Sequence, residues 1–182
     1  MRPTEQLKEE HKAIKLILKI LEKACVRLES GEEVNPEHLE QILEFIKLFA
    51  DKCHHGKEED LLFLAMEEAG FPREGGPIAV MLIEHNMGRD YVKDMSEDVA
   101  KYKASEHEAS SKIVENARNY IALLTQHIEK EDNILYPMAD MHLSEDKQRE
   151  LIEEFEKLER ERIGIGKHEE LHKLLHHLEK EV

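Results

Sequence analysis

The sequence predicts an all-α protein: an up-down-up-down four-helix bundle carrying two shorter C-terminal helices. Three observations carry this expectation. Long stretches of the 182-residue chain repeat apolar residues at alternating spacings of three and four, and no segment alternates with period two. Charged residues make up 37% of the chain and aromatics only 5%, a Glu-, Lys- and Leu-rich balance that suits helices. Gly and Pro gather at a few breaks between the periodic stretches.

The first helix is expected from Thr4, read as an N-cap after Pro3, to the Ser30-Gly31 stop. Its seam is Leu7, His11, Ile14, Leu18, Leu21, Cys25 and Leu28. Asn35-Pro36 opens the second, with Asn35 as N-cap and Pro36 in the first helical position. Its seam reads Leu39, Leu43, Ile46, Ala50, His54, Glu58, Leu61 and Ala65, and it ends at Gly70. The breaker cluster from Gly70 to Pro77 separates it from a third helix, Pro77 to Lys103, with the seam Ile78, Met81, His85, Gly88, Val92, Met95 and Val99. A fourth helix follows from Ser105 to Tyr136, where Pro137 should end or kink it. Its seam is Ile113, Ala117, Tyr120, Leu124, His127, Glu131, Ile134 and Met138.

Residues 1–143 would form the bundle and 144–182 a helical extension. In the extension, Ser144 caps a helix reaching Arg162, and a last helix runs from His168 to Lys180. Leu151, Ile152, Phe155 and Leu158, then Leu171, Leu174, Leu175 and Leu178, should pack on the bundle or form a homodimer contact.

Several function classes are disfavoured. A formal net charge of −15 argues against a nucleic-acid or anionic-membrane surface. No apolar run approaches the roughly 20 residues of a membrane span, and Met1-Arg-Pro-Thr-Glu lacks a signal peptide's apolar core. Two cysteines, both near apolar seams, make no disulfide framework. A cytoplasmic location is the expectation.

The chemistry lies in the faults of the seams. Burying an unpaired imidazole or carboxylate costs roughly 2–7 kcal/mol, so several of them on inward faces need a common partner. His54 and Glu58 stack one helical turn apart, and His127 and Glu131 repeat the device. His11 and His85 come singly. In an up-down bundle, positions early in one helix and late in the next share one end, so all six can reach the axis at one depth. Four imidazoles and two carboxylates exceed a tetrahedral zinc site and suit two first-row ions bridged by Glu58 and Glu131. The His168-Glu-Glu-Leu-His172 run matches the zinc-protease pattern, but it sits on a charged terminal helix with few residues beyond it.

His11, His54-His55-x-x-Glu58, Glu84-His85 and His127-x-x-x-Glu131 followed by Asp132 resemble the hemerythrin-like HHE cation-binding family, from about Thr4 to Ala139. The resemblance implies two iron ions. His11 and His54 would hold one, His85 and His127 the other, and Glu58 and Glu131 would bridge. Oxygen-carrying relatives place a further histidine one turn after the third-helix ligand; here that position is Arg89. Either the second ion keeps an open position or His55 fills it, although His55 lies about 100° around the helix from His54. Asp132 matches the carboxylate position of the oxygen carriers, whereas Glu131 matches the HHE subgroup and occupies the seam. The function implied is binding of O2 or a related small ligand. The alternatives are an enzyme turning over peroxide or nitric oxide, and an iron- or redox-responsive protein-binding module.

Overall fold

The computed structural model describes residues 1–182 and is helical throughout, with no strand. Helix α1 is Pro3–Glu29. Helix α2 spans residues 36–68, α3 is Pro77–Lys103, α4 spans residues 109–142, α5 spans residues 145–163 and α6 is Lys167–Glu181.

The starts follow local chemistry. The Asn35 side chain accepts a hydrogen bond from the Glu37 N–H, and Pro36 fills the first helical position. Ser144 accepts from the Lys147 N–H at the head of α5. Two starts differ from expectation. The N-cap of α1 is Arg2, whose backbone N–H is taken by Glu5 Oε2 at 2.8 Å. Thr4 therefore lies inside the helix, and its hydroxyl crosses to Asp140 Oδ1 at 2.6 Å. Helix α4 begins at Ala109 because Ser105 turns the chain with φ of 69°.

Side chains from early α1, late α2, early α3 and late α4 meet at one end, as an antiparallel bundle requires. At the other end Tyr102 Oη, late in α3, receives the Val34 N–H from the α1–α2 loop.

Three π-helical segments interrupt the long helices near that meeting point: Ile46–His55 and Glu58–Leu62 in α2, and Glu131–Leu135 in α4. A π turn adds a residue per turn, and such bulges gather at functional sites. The inserted residue moves several later seam positions by one, although Glu58 and Ala65 stay buried as expected. Leu62 is buried where Leu61 was expected, and Leu135 and Ala139 replace Ile134 and Met138; Ile134 is 54% exposed. The wider turn also gives the Pro137 ring room against the preceding carbonyls, so α4 continues to His142 instead of ending.

Two apolar clusters flank the shared level. The larger runs from Ala13 to Leu28 of α1 and includes Leu171, Leu175 and Leu178 of α6. The smaller contains Leu7, Leu62, Phe63, Leu135 and Tyr136 and takes in Leu151 and Phe155 of α5. The apolar faces of α5 and α6 are thus buried on the chain's own bundle. His168 and His172 pack their rings on Phe49 with centroids 5.0 and 5.3 Å away, which accounts for the protease-like spacing without a metal. No helix is long and apolar enough to cross a membrane.

Candidate metal centre

Between the two apolar clusters, the α1–α4 bundle brings together the residues its seams interrupt. His11, His54, His55, Glu58, His85, His127 and Glu131 are all buried. They form two groups, each with ligand atoms within 4.8 Å of one another: His11, His54 and Glu131; and His55, Glu58, His85 and His127. His55 therefore joins the second group. The π turn that ends at His55 swings this residue inward, so adjacent histidines straddle the centre, one in each group. The His55 ring stacks on His85 with centroids 3.9 Å apart.

The internal distances suit cations. His11 Nε2 and His54 Nε2 are 3.1 Å apart, and His85 Nε2 and His127 Nε2 are 3.0 Å apart. Two imidazoles bonded cis to one first-row ion at about 2.1 Å would sit about 3 Å from each other. Both carboxylates divide their oxygens between the groups. Glu131 Oε2 is 3.0 Å from His11 Nε2, while its Oε1 is 2.7 Å from His127 Nε2. Glu58 Oε1 is 3.8 Å from His54 Nε2, while its Oε2 is 3.3 Å from His85 Nε2. Glu58 Oε2 and Glu131 Oε1 are fully buried and accept no well-formed hydrogen bond. Buried acceptors left this way are rare unless an ion or water answers them. The donor set, the spacing and these two orphaned oxygens fit metal ions.

Each histidine has an acid behind it. His11 Nδ1 hydrogen-bonds Asp132 Oδ1 at 2.7 Å, His54 Nδ1 meets Glu10 Oε1 at 3.2 Å, and His55 Nδ1 meets Asp51 Oδ1 at 3.3 Å. His85 Nδ1 and His127 Nδ1 lie 3.4 and 3.5 Å from Glu59 and Glu84. At His11, His54 and His55 the hydrogen-bonded acid fixes the ring and directs the Nε2 lone pair inward, an arrangement usual around ligating histidines. His85 Nδ1 and His127 Nδ1 have only these longer contacts and no formed hydrogen bond. Asp132 thus sits outside the centre, and Glu131 inside it. Tyr136 Oη donates to Glu58 Oε1 at 2.6 Å and its ring stacks on His11. Lys57, fully buried, joins Glu10 Oε2 at 2.7 Å to Glu159 of α5 at 3.1 Å, tying the extension to the centre.

The electrostatics point the same way. Burial opposes a charge on His11, yet its hydrogen bonds to Asp132 and Glu131 outweigh this and raise its pKa to about 9. His85 is likewise raised despite burial, through Glu131, Glu58 and Glu59. Burial would raise Glu131, but His127, His11 and His85 hold it well below the usual carboxylate range. The shared carboxylates draw positive charge to the centre, as protons on imidazole or as metal ions. His55 differs: burial, with His85 next to it, pushes it well below the ordinary imidazole value, so its ring stays neutral and its lone pair free.

Arg89 does not enter the centre. Its guanidinium pairs with Asp51 (Nε–Oδ1 2.9 Å) and with Glu59, the acids behind His55 and His85. Both cysteines are buried outside the groups, and burial pushes the Cys53 thiol up to about 12, which leaves it inert.

Apart from Asp132 and Glu84, the outer acids were missed in the sequence because they lie off the seams. The available signals were the Glu10-His11 and Glu84-His85 tandems and the i, i+4 spacing of Asp51 and His55. Tyr136 was read only as a helix end, because the π turn that carries it inward leaves no mark in the apolar period.

An uncharacterized protein of Mycobacterium bovis and uncharacterized proteins of two Mycobacterium tuberculosis strains are each 25% identical over 160 residues, 88% of this chain. The chain spans 62% of the length of these relatives. No solved structure matches. The family model of the hemerythrin HHE cation binding domain matches residues 2–139, the bundle that holds both groups, and the chain belongs to that family.

Proposed function

We propose that the protein is a non-haem di-iron protein that binds O2 or a related small ligand. One observation carries the reading: Glu58 and Glu131 each turn one oxygen to either histidine group, an arrangement suited to bridging two cations. His11 and His54 would hold one ion, and His55, His85 and His127 the other. Five imidazoles and two carboxylates without thiolate favour iron over structural zinc or iron–sulfur clusters. When bound, reduced iron supplies a redox-active centre for a small electron-accepting ligand.

The chain's own residues define its surroundings. The acids Asp132, Glu10 and Asp51 orient their rings by hydrogen bonds, and Glu59 and Glu84 stand behind the other two. Tyr136 directs a proton at Glu58 Oε1, and apolar clusters close the centre above and below. An enzyme that turns over peroxide or nitric oxide is the second reading. It is favoured by a cavity of about 340 Å³ that reaches His55 and His85 from the surface.

Metal analysis of protein purified without a histidine tag or chelating resin tests the proposal, followed by anaerobic reconstitution with ferrous iron and exposure to air. Two ions per chain and a new near-ultraviolet or visible absorption band are expected, both lost in Glu131→Ala. Stray metal only, with no change in the variant, overturns the proposal. Reversible bleaching under vacuum would assign ligand binding, and catalytic loss of added peroxide would assign the enzyme.

A further inference from the structure

The cavity beside the second histidine group is far larger than a diatomic ligand requires. It holds about 340 Å³, whereas a water's share of liquid volume is about 30 Å³. Its size lies within the range of sites that enclose organic molecules. It runs between α2 and α3. Buried His55 and His85 form its inner end, and exposed Lys47 and Lys93 stand at its outer end.

The walls between are largely apolar. Ile46, Val92 and the Tyr120 ring line them, and Gly88 adds no side chain on the α3 side. The polar groups along the way are mostly engaged. Asp51 is held by Arg89 and His55, and Ser96 Oγ donates to the Val92 carbonyl at 2.8 Å. The exceptions are at the mouth, where neither Lys47 nor Lys93 has a carboxylate within ion-pair distance, against a single free acid, Glu97. An apolar chamber with two unpaired ammonium groups at its entrance has the complementarity of an amphipathic anion.

We propose that this cavity binds a small monocarboxylate with an apolar body, its carboxylate at Lys47 and Lys93 and its body against Ile46, Val92 and Tyr120, directed at His55 and His85. As a substrate or effector site the assignment rests on the metal reading of the centre; as a binding site it stands on the cavity alone.

Isothermal titration calorimetry of the full chain with sodium hexanoate tests it, in metal-free and in anaerobic ferrous-loaded protein, alongside hexanol, hexylammonium and acetate. Hexanoate is expected to bind one to one, with acetate and hexylammonium much weaker. The Lys47→Gln/Lys93→Gln double variant, two exposed positions that leave the core intact, should weaken hexanoate at least tenfold and leave hexanol unchanged. No hexanoate binding overturns the proposal, and so does binding that ignores both charge and the lysines. Metal content measured on the same samples separates the two readings. Two bound ions without hexanoate uptake defeats the ligand proposal alone, while hexanoate uptake by protein that takes up no iron on anaerobic ferrous loading defeats the di-iron proposal alone.

Discussion

On one side of Glu58 and Glu131 lie His11 and His54; on the other lie His55, His85 and His127. The first half is the more enclosed: of the acids behind its rings only Asp132, at His11, is partly exposed. The Tyr136 ring stacks on His11, Lys57 and Glu10 close over the back of His54, and α5 covers both through Glu159. The second half meets a cavity, and the acids behind it, Asp51 and Glu59, are partly exposed and shared with Arg89. The same residue types therefore make a sealed half and an accessible half. Beyond the third imidazole of the accessible half, the difference arises in the second layer of contacts.

The largest expected effect erases the comparison, because it strikes the residues both halves share. A metal at a thousandfold excess over its dissociation constant stabilises the folded state by about 4 kcal/mol. For a chain of this length that is a melting shift of roughly 10 °C. Glu131→Ala should abolish this shift and the binding of both ions, whereas His11→Ala should leave one ion, held in the accessible half. Calorimetric melting with and without ferrous iron, read with metal stoichiometry, checks both. Retention of two ions by Glu131→Ala would show that the halves are independent sites.

The next effect separates the halves by their buried acids. Burial raises Glu10, but His54 and Lys57 outweigh it and bring its pKa from 4.5 to about 2. The carboxylate therefore contributes stability that is fully present above pH 4.5 and is lost as the pH falls toward 2, roughly 3 kcal/mol over that window. Asp51 and Glu59 are also brought to about 2, against the effect of burial, by His55 and Arg89 and by His85 and Arg89 respectively. Their partial exposure screens them, so each contributes less. Chemical denaturation of metal-free protein from pH 7 to pH 3 should give a slope that Glu10→Gln flattens more than Asp51→Asn. Equal slopes in the two variants would place the two halves in equivalent surroundings.

Most of the inner ring of this centre is readable in the sequence, and most of its outer ring is not, for one reason. His11, His54, Glu58, His85, His127 and Glu131 sit at seam positions where a helix's period demands apolar residues, so each stands out against its own stripe. Glu10, Asp51 and Glu59 flank the seams, where acids are ordinary on a helix of this composition. Only packing shows that they face an imidazole. Tyr136 escapes, and His55 is legible only through the family resemblance, for a different reason: π turns move both inward, and a period of 3.6 cannot register the added residue. The same phase shift put Ile134 and Met138 in the expected seam in place of Leu135 and Ala139. The fold is robust to such local errors, because the breaks at Ser30-Gly31 and Gly70–Pro77 set the first three helices regardless of phase.

Outer acids acting on one ring should matter less than shared carboxylates and more than hydroxyl groups. Loss of such a partner generally costs ten- to a hundredfold in metal affinity. Asp132→Asn should weaken the ion of the sealed half by about that factor, and Glu84→Gln that of the accessible half. Competition titrations against a coloured chelator resolve the two steps. If both variants weaken the same step, the two histidine groups do not correspond to two ions.

The smallest effect applies one substitution to both halves. Tyr136→Phe removes the donor to Glu58 Oε1 and leaves a buried carboxylate oxygen without its partner, a loss of about 1–3 kcal/mol. Tyr120 lines the cavity and its hydroxyl makes no hydrogen bond to the protein, so Tyr120→Phe should lie within about 0.5 kcal/mol of wild type. Thermal melts of the two metal-free variants measure the contrast directly. The sealed half depends on internal hydrogen bonds for its order and should register the lost oxygen. In the accessible half the missing hydroxyl faces space that solvent or a ligand fills, and the fold should not register it. Equal losses in both variants would mean that Tyr120 is bound as tightly as Tyr136, and the distinction between a sealed and an accessible half would fail.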